Sequence, residues 1–320
     1  MNKANNILII TLNYMGDVLM TLPLVYNIKR KFENCNVFLS AGHKSRGLKN
    51  IVNDIDKWFF RSGNINFITL FFHIKKLKKY NFDKIILIRN AKFTHKIAKK
   101  LKSDEVVGLK HSQVSNLEIS IPERKNHRTH ITDSTECIAN YMGIEDFKYK
   151  VNFDKINCRT FKDKFIVFSP GTTRKAKMMP VEKWKKLGKY ITKNYKYKIY
   201  IVGSKKDKHL TKKIKISDFP HENIIGKTNL RELYCYLKNS ELTITVDNGT
   251  MHLCDLTDAP LISLFGSTNP RIVGPKSQNS YIIQSPLECK YCGKNKCSNN
   301  EFCMAEIDEK RIFNLIDKIL

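Results

Sequence analysis

The feature that most limits what this chain can fold into is a repeated alternation. Short, nearly continuous apolar runs are followed by longer amphipathic ones, from one end of the sequence to the other. Residues 6–12 (NILIITL), 36–41 (NVFLSA), 57–60 (KWFF), 83–89 (DKIILIR) and 105–109 (EVVGL) read as strands, with a helical stretch at 17–32 and amphipathic segments between most of the others. Residues 115–122 (SNLEISIP) fit either state. A helix is expected over 132–143, with Thr or Asp at its N-cap and Gly143 just past its end, where a left-handed residue closes the last turn. After a polar, unpatterned stretch at 154–164 the alternation restarts. Residues 165–171 (FIVFSPG), 198–204 (KIYIVGS), 223–226 (NIIG), 241–247 (ELTITVD) and 260–266 (PLISLFG) read as strands, with helices over 180–195, 206–217, 229–239 and 249–258.

A strand that is apolar along its whole length is buried on both faces, and such strands joined by helices form parallel sheets covered on both sides. The expected class is therefore α/β, with two Rossmann-like domains whose parallel sheets face a central cleft. The chain of 320 residues suits two such units of ~150 residues each. The boundaries read as 1–154 for the first domain, 155–164 for a linker, 165–307 for the second domain and 308–320 for a terminal helix. In that last segment Ile312, Leu315, Ile316 and Ile319 recur at helical spacing and could pack on either domain.

Composition removes several other classes. Hydrophobic residues make up 42% and charged residues 27%, the balance of a globular protein rather than a disordered one. No apolar run reaches the ~20 residues that a membrane-spanning helix needs. The stretch MNKANNILIITLN has one early lysine and a short apolar run but no small-residue cleavage site, so it reads as a first strand and not a secretory signal. A cytoplasmic location is expected. Of nine cysteines, Cys35, Cys137, Cys158, Cys235 and Cys254 are scattered through apparent helices and strands, as buried thiols would be.

The formal net charge is +27, from 57 basic and 30 acidic side chains. Residues 1–160 carry 28 basic and 14 acidic groups and residues 161–320 carry 29 and 16, so the excess is not a tail. Only 11 of the basic residues are Arg, the side chain that reads bases and phosphates bidentately, and no nucleic-acid motif is present. The excess is either a lysine-rich habit of composition or an attraction to anionic lipid head groups or an anionic acceptor. A specific nucleic-acid partner is not expected.

In open parallel sheets ligands bind where strands give way to helices at the carboxyl edge. Five such loops carry chemistry. In ITLNYMGDVLMTLP (10–23), Gly16 permits close backbone approach and Asp17 follows at the start of a helix. There it is either an N-cap carboxylate or an ionised group able to accept a proton. In SPGTTRKAKMMP (169–180), Thr172 and Thr173 precede Arg174, Lys175 and Lys177, and Pro180 opens the next helix. Hydroxyls, backbone N–H groups and cations after a strand make either a diphosphate cradle or an exposed basic loop, and the P-loop pattern is absent. In TVDNGTMHL (245–253), Asp247, Asn248, Gly249 and Thr250 form a strand-to-helix turn with N-cap chemistry, and His252 lies early in the helix. Gly266, Ser267 and Thr268 could continue the same anion-binding rim, and Asp207 in VGSKKD (202–207) could accept from ribose hydroxyls.

These segments, ILIITLNYMGDVLMTLP, SPGTTRKAKMMPVEKW, TVDNGTMHLCDLTDAPLISLFGSTNPRIVGP and CKYCGKNKC, resemble in their order the motifs of the ADP-heptose:lipopolysaccharide heptosyltransferases, glycosyltransferase family 9. The resemblance runs from the first strand to the C-terminal helix and is weakest in the middle of the first domain. It implies a GT-B fold, with the acceptor on the N-terminal domain and a sugar nucleotide, ADP-heptose, on the C-terminal one. It implies transfer with inversion at the anomeric carbon and without a required cofactor or metal. The acceptor would be a lipid-linked anionic glycan of the lipopolysaccharide inner core. The enzyme would work as a peripheral protein on the anionic inner face of the inner membrane. Carried onto this sequence, Asp17 matches the catalytic base. Thr172, Thr173, Lys177, Gly249, Thr250 and His252 match contacts to the donor phosphates, and Asp207, Asp247 and Asn248 match contacts to the nucleotide or sugar. One position departs: many members have an aromatic residue just before the Pro, where this chain has Met179. The same machinery moving a different sugar in capsule or O-chain assembly is the nearest alternative. A non-catalytic basic protein that binds membrane or nucleic acid is another, but Asp17 and the D-x-G-x-x-H turn would serve no purpose in it.

Cys289, Cys292, Cys297 and Cys303 form C-x₂-C-x₄-C-x₅-C. Such a set can ligate zinc or an iron–sulfur centre, although the paired knuckles of a zinc ribbon are missing. Related cysteines recur in the resembled family, usually without an assigned metal. The other reading is a loop of reduced thiols that closes a local disulfide on oxidation.

Overall fold

The computed structural model describes the chain except residues 1–5, 33, 90, 110–116, 120–129, 154–155, 212, 290, 296 and 298–302. It divides into two compact units, Met1–Ile156 and Asn157–Leu320. The first contains β1 (Asn6–Ile10), α1 (Met15–Leu19), α2 (Leu22–Lys31), β2 (Asn36–Gly42), β3 (Lys57–Arg61), α3 (Phe67–Leu77), β4 (Lys84–Leu87), α4 (Lys92–Leu101), β5 (Glu105–Leu109), β6 (Leu117–Ile119) and α5 (Ile131–Tyr141). The second contains β7 (Phe165–Ser169), α6 (Val181–Asn194), β8 (Lys198–Ile201), α7 (Lys208–Thr211), β9 (Glu222–Asn223), α8 (Leu230–Lys238), β10 (Leu242–Val246), α9 (Gly249–Asp255), β11 (Leu261–Phe265), α10 (Pro270–Val273), β12 (Ser280–Gln284) and α11 (Glu309–Ile319).

Each unit holds one six-stranded parallel sheet, ordered β3-β2-β1-β4-β5-β6 and β12-β11-β10-β7-β8-β9. Read from its own first strand, each is the 3-2-1-4-5-6 order of a doubly wound fold. Ile7 to Ile10 are fully buried in β1, as are all five residues of β7 and of β10, which is what strands covered on both faces require. In the first unit Leu8, Ile10, Phe38, Phe59 and Ile85 pack against Leu70, Ile74 and Leu77 of α3. In the second, Ile166, Phe168, Ile199 and Ile244 pack against Trp184, Leu187 and Ile191 of α6. Ile312 and Ile316 place α11 in that same core, where Phe313 stacks on Tyr190 at 4.1 Å and Glu309 meets Lys183 at 2.9 Å.

The helix expected over 17–32 is two helices. Pro23 would set its ring against the carbonyl of Leu19, four residues earlier, and the helix breaks there. The helix over 132–143 begins instead at Ile131, with His130 as its N-cap accepting from the Thr132 N–H at 3.0 Å, and Gly143 closes it at φ +77°. Pro180 is the N-cap of α6, one residue before its expected position. Among the described residues of 206–217 the helical structure is the end of a 3-10 turn (Lys205–Asp207) and the four-residue α7. Residues 115, 116 and 120–122 of the ambiguous stretch lie outside the described residues, while 117–119 form β6.

Two cysteines read as buried thiols are a disulfide. Cys158 pairs with Cys235 of α8, and the segment around it packs on the second unit, with Phe161 4.7 Å from Phe165 and 5.1 Å from Tyr236. Cys35 and Cys254 are buried thiols, and Cys137 is half-buried. Among the described residues no helix is long and apolar enough to cross a membrane.

Candidate functional site

In a 3-2-1-4-5-6 sheet the crevice for a ligand opens beyond the carboxyl ends of the two central strands, where the chain direction of winding reverses. In the second unit those strands are β7 and β10. The loops that follow them are the two motifs singled out from the sequence, and side chains tie them together. The Asn248 amide donates to the Gly171 carbonyl at 2.7 Å and to Ser169 Oγ at 3.0 Å, while its Oδ1 accepts from the Met251 N–H at 2.9 Å and so caps α9.

Asp247 is the junction of three loops. Its Oδ2 accepts from Lys177 Nζ at 2.6 Å and from Thr268 Oγ1 at 2.6 Å, and its carbonyl accepts from Thr172 Oγ1 at 3.3 Å. The ion pair is shielded, with only 14% of the lysine side chain and 6% of the aspartate exposed. Lys177 keeps two further N–H donors. Thr173 is exposed, Thr250 is buried and Gly249 is half-buried at the start of α9. Asp207, after β8, uses Oδ2 to accept from the backbone N–H and Oγ of Ser204 at 2.8 and 2.7 Å. Its carboxylate rests against the Cα of Gly171, where any Cβ would overlap it. Met179 points away from these loops into the core of the second unit.

His252 is buried in α9, and its Nδ1 has no hydrogen-bond partner. Burial pulls its pKa down, against the opposing pull of Asp247 and Asp255 and with help from Lys177. The ring is therefore neutral and offers a hydrogen bond rather than a charge.

The cysteine-rich segment braces this cluster. The Ala176 N–H donates to the Asn295 carbonyl at 3.1 Å, and the Gly293 N–H donates to the Ser267 carbonyl at 2.8 Å. Cys303 Sγ lies 3.8 Å from the Ala176 carbonyl, and a Cβ on Gly266 would overlap that sulfur. Burial pushes the Cys303 thiol up, and Cys297, Cys292 and Cys289 add to the effect. Cys289 and Cys292 are exposed and Cys297 is half-buried. Among the described residues no three His, Cys, Asp or Glu side chains are grouped to hold a metal ion.

In the first unit the central strands are β1 and β4, and the loop after β1 leads to Asp17. Asp17 is the third residue of α1 rather than its N-cap. Its carboxylate reaches back to accept from the Tyr14 N–H at 3.2 Å, and its carbonyl accepts from Thr21 Oγ1 at 2.8 Å. The side chain is half-buried.

A residue that sequence reasoning missed holds this loop. Arg61, at the end of β3, is buried and donates from Nη2 to the carbonyls of Thr11 and Leu12 at 2.6 and 3.0 Å and to Asn13 Oδ1 at 3.3 Å. Its Nη1 donates to Ser40 Oγ at 2.7 Å, and that hydroxyl also meets His73 Nε2 at 2.9 Å. Burial lowers Arg61 to about 10, and among the described residues no carboxylate pairs with it. Burial, then Arg61 and Lys76, lowers His73 to about 4. Arg61 borders a cavity of about 480 Å³ whose other polar walls include His43, Arg46, Thr69 and Lys76. The only hint in the sequence is a lone arginine closing an aromatic strand, KWFFR.

Residues 70–302 match the model of Glycosyltransferase family 9 (heptosyltransferase). The chain is 25% identical over 309 residues to lipooligosaccharide heptosyltransferase 2 of Haemophilus influenzae, covering 87% of this chain and 88% of that protein. Its fold superposes with a TM-score of 0.79 on a family 9 glycosyl transferase from Veillonella parvula (17% identity, 98% and 97% of the two chains). It superposes at 0.78 on the Escherichia coli heptosyltransferase WaaC with ADP (17% identity, 98% and 100%). The fold is GT-B, with its two parallel-sheet α/β domains. With well over half of its length matched, the chain belongs to glycosyltransferase family 9 and is a glycosyltransferase.

Proposed function

We propose that this enzyme moves a heptose from ADP-heptose to an anionic, lipid-linked glycan of the lipopolysaccharide inner core, with inversion at the anomeric carbon and no metal ion in the chemistry. The observation that carries the reading is the Lys177–Asp247–Thr268 junction at the switch point of the second unit, beside the capped start of α9. Asp247 holds Lys177 in place, and the two remaining ammonium donors are available to a diphosphate. The hydroxyl of Thr173, that of Thr172 once turned from the Asp247 carbonyl, the backbone N–H groups of Gly249 and Thr250, and neutral His252 complete a donor set for it. Departure of ADP builds charge on the β-phosphate, and preorganised donors of this kind stabilise such charge without reorganising. In this reading Asp207, whose carboxylate lies beside Gly171, accepts from the nucleoside's ribose hydroxyls. The relatives named for heptose transfer and the WaaC structure with ADP support the choice of sugar and nucleotide.

The first unit supplies the acceptor side. In this reading Asp17 takes the proton from the acceptor hydroxyl as its oxygen attacks the anomeric carbon on the face opposite the diphosphate. The cavity beside Arg46, Arg61 and Lys76 suits phosphate or carboxylate groups of the acceptor. A lipid-linked acceptor places the enzyme as a peripheral protein at the cytoplasmic face of the inner membrane, consistent with its excess of lysine. The cysteine segment has a bracing part in this scheme, and any metal bound to its four thiols is structural. Elemental analysis of protein purified without chelator measures that metal.

The test is release of nucleoside diphosphate from a panel of sugar nucleotides, with and without a truncated inner-core acceptor. ADP released from ADP-heptose only when acceptor is present is the expected result. Release from a UDP- or GDP-sugar instead would move the enzyme to another glycan.

A further inference from the structure

We propose that α3 seats this protein on an anionic bilayer, its outer face entering the headgroup layer while the surrounding lysines stay at the lipid phosphates. The inference deepens the reading of a membrane-bound acceptor and rests on it for its purpose, but its test uses no acceptor.

The inner face of α3 is ordinary. Leu70, His73, Ile74 and Leu77 are buried, at the spacing of a helix lying on a sheet. The outer face is not. Phe67, Ile68, Phe71 and Phe72 are 70%, 63%, 54% and 56% exposed, and Ile68 and Phe72 continue inward as one wall of the cavity beside Arg61, while Phe67 and Phe71 do not line it. These four are half of the eight large apolar side chains exposed among the described residues, gathered on two turns of one helix. An apolar patch of this kind on a water-facing helix marks an interaction surface.

Charge identifies the partner. Lys75 lies in the last turn of α3, Lys78 and Lys79 follow it, and all three are exposed. The neighbouring α4 adds Lys96, whose Nζ sits 4.8 Å from the centre of the Phe67 ring, and exposed Lys99 and Lys100. Neither helix contains Asp or Glu. Aromatic and aliphatic side chains framed by long lysines are what an element lying in a bilayer interface needs: apolar area to bury, and stems that reach back to the phosphates. An anionic leaflet attracts each such lysine. A second copy of the chain fits poorly, because a two-fold pairing of this face would set one lysine field against another with no acid on either helix. Nucleic acid fits less well too, since α3 and α4 contain no arginine and the patch includes aliphatic Ile68.

The experiment is co-sedimentation of the full chain with vesicles of phosphatidylcholine, with and without phosphatidylglycerol. Partition is expected to favour the anionic vesicles by about 10-fold or more and to weaken as salt rises. Phe67→Ser/Phe71→Ser, with an unchanged thermal midpoint, is expected to lose about 10-fold of that partition. Independently, the indole introduced by Phe71→Trp is expected to shift to the blue on anionic vesicles and to be quenched by brominated lipid. Equal partition of the double variant and the parent, or an unshifted and unquenched indole, would overturn the proposal. So would a dimer, or binding to a single-stranded oligonucleotide, that the double variant abolishes. Turnover on a soluble, delipidated acceptor is expected to be unchanged in that variant. A fall there would overturn the assignment by placing the two rings in the transfer site. A failed transfer assay and a failed vesicle assay are thus separate results.

Discussion

Lys177, in the 3-10 turn after β7, and Asp247, at the end of β10, are joined by a 2.6 Å ion pair that is largely shielded from solvent. Removing one member of such a pair leaves the other charge without its partner in a poorly hydrated place. Lys177→Ala is expected to cost about 3 kcal/mol of stability and to weaken ADP binding about 10-fold or more. Denaturant unfolding and calorimetric titration of ADP measure the two effects. Unchanged ADP affinity would remove Lys177 from the donor site.

Gly171→Ala is expected to weaken donor binding and to destabilise the fold by about 1–3 kcal/mol, because its Cβ would overlap the Asp207 carboxylate. Asp207→Ala in the same background removes the overlap and is expected to restore stability but not nucleotide affinity. Thermal melts with and without ADP separate the two.

Arg61→Met is expected to lower kcat about 100-fold while leaving the KM for the sugar nucleotide near that of the parent. Within the first unit the guanidinium fixes the carbonyls of Thr11 and Leu12 in the loop that leads to Asp17. Steady-state kinetics with each substrate varied in turn read the split. A parental kcat would show that the loop needs no clamp.

Buried His73 makes stability depend on pH. Its folded pKa is about 4 against 6.5 for an ordinary histidine, so between these values the unfolded chain holds a proton that the folded chain does not. The contribution is fully present above pH 6.5 and is lost as pH falls toward 4, by about 3 kcal/mol in all. The difference in unfolding free energy between the parent and His73→Gln is expected to change across this window and to level off below it. A difference independent of pH would contradict the assignment.

Much of this architecture is readable from the chain because its strands are short and apolar on both faces, as in β1, β7 and β10. The loops after β7 and β10 stand out because glycines, hydroxyls and cations crowd immediately beyond each strand. What the sequence conceals is tertiary. β12 lies at a sheet edge with most of its residues half or fully exposed, so its apolar signal is weak. The 77-residue separation of Cys158 and Cys235 carries no local mark. Arg61 has no local mark beyond its place after an aromatic strand, because the β1 loop that it holds is about 50 residues away. The brace between the cysteine segment and the phosphate loop is made by backbone groups, Ala176 to Asn295 and Gly293 to Ser267, which no side-chain pattern reports. The pairing of Lys177 with Asp247 is hidden as the disulfide is, since the two are 70 residues apart.

The central claim is that Asp17 is the base for the acceptor hydroxyl. Asparagine keeps the shape and can still accept from the Tyr14 N–H, so Asp17→Asn leaves the start of α1 intact while removing the proton acceptor. The direct measurement is single-turnover transfer from ADP-heptose to a truncated inner-core acceptor, with ADP-heptose affinity measured on the same protein. The account predicts a rate at least about 100-fold below the parent with donor affinity unchanged. A variant that transfers at the parental rate would contradict it.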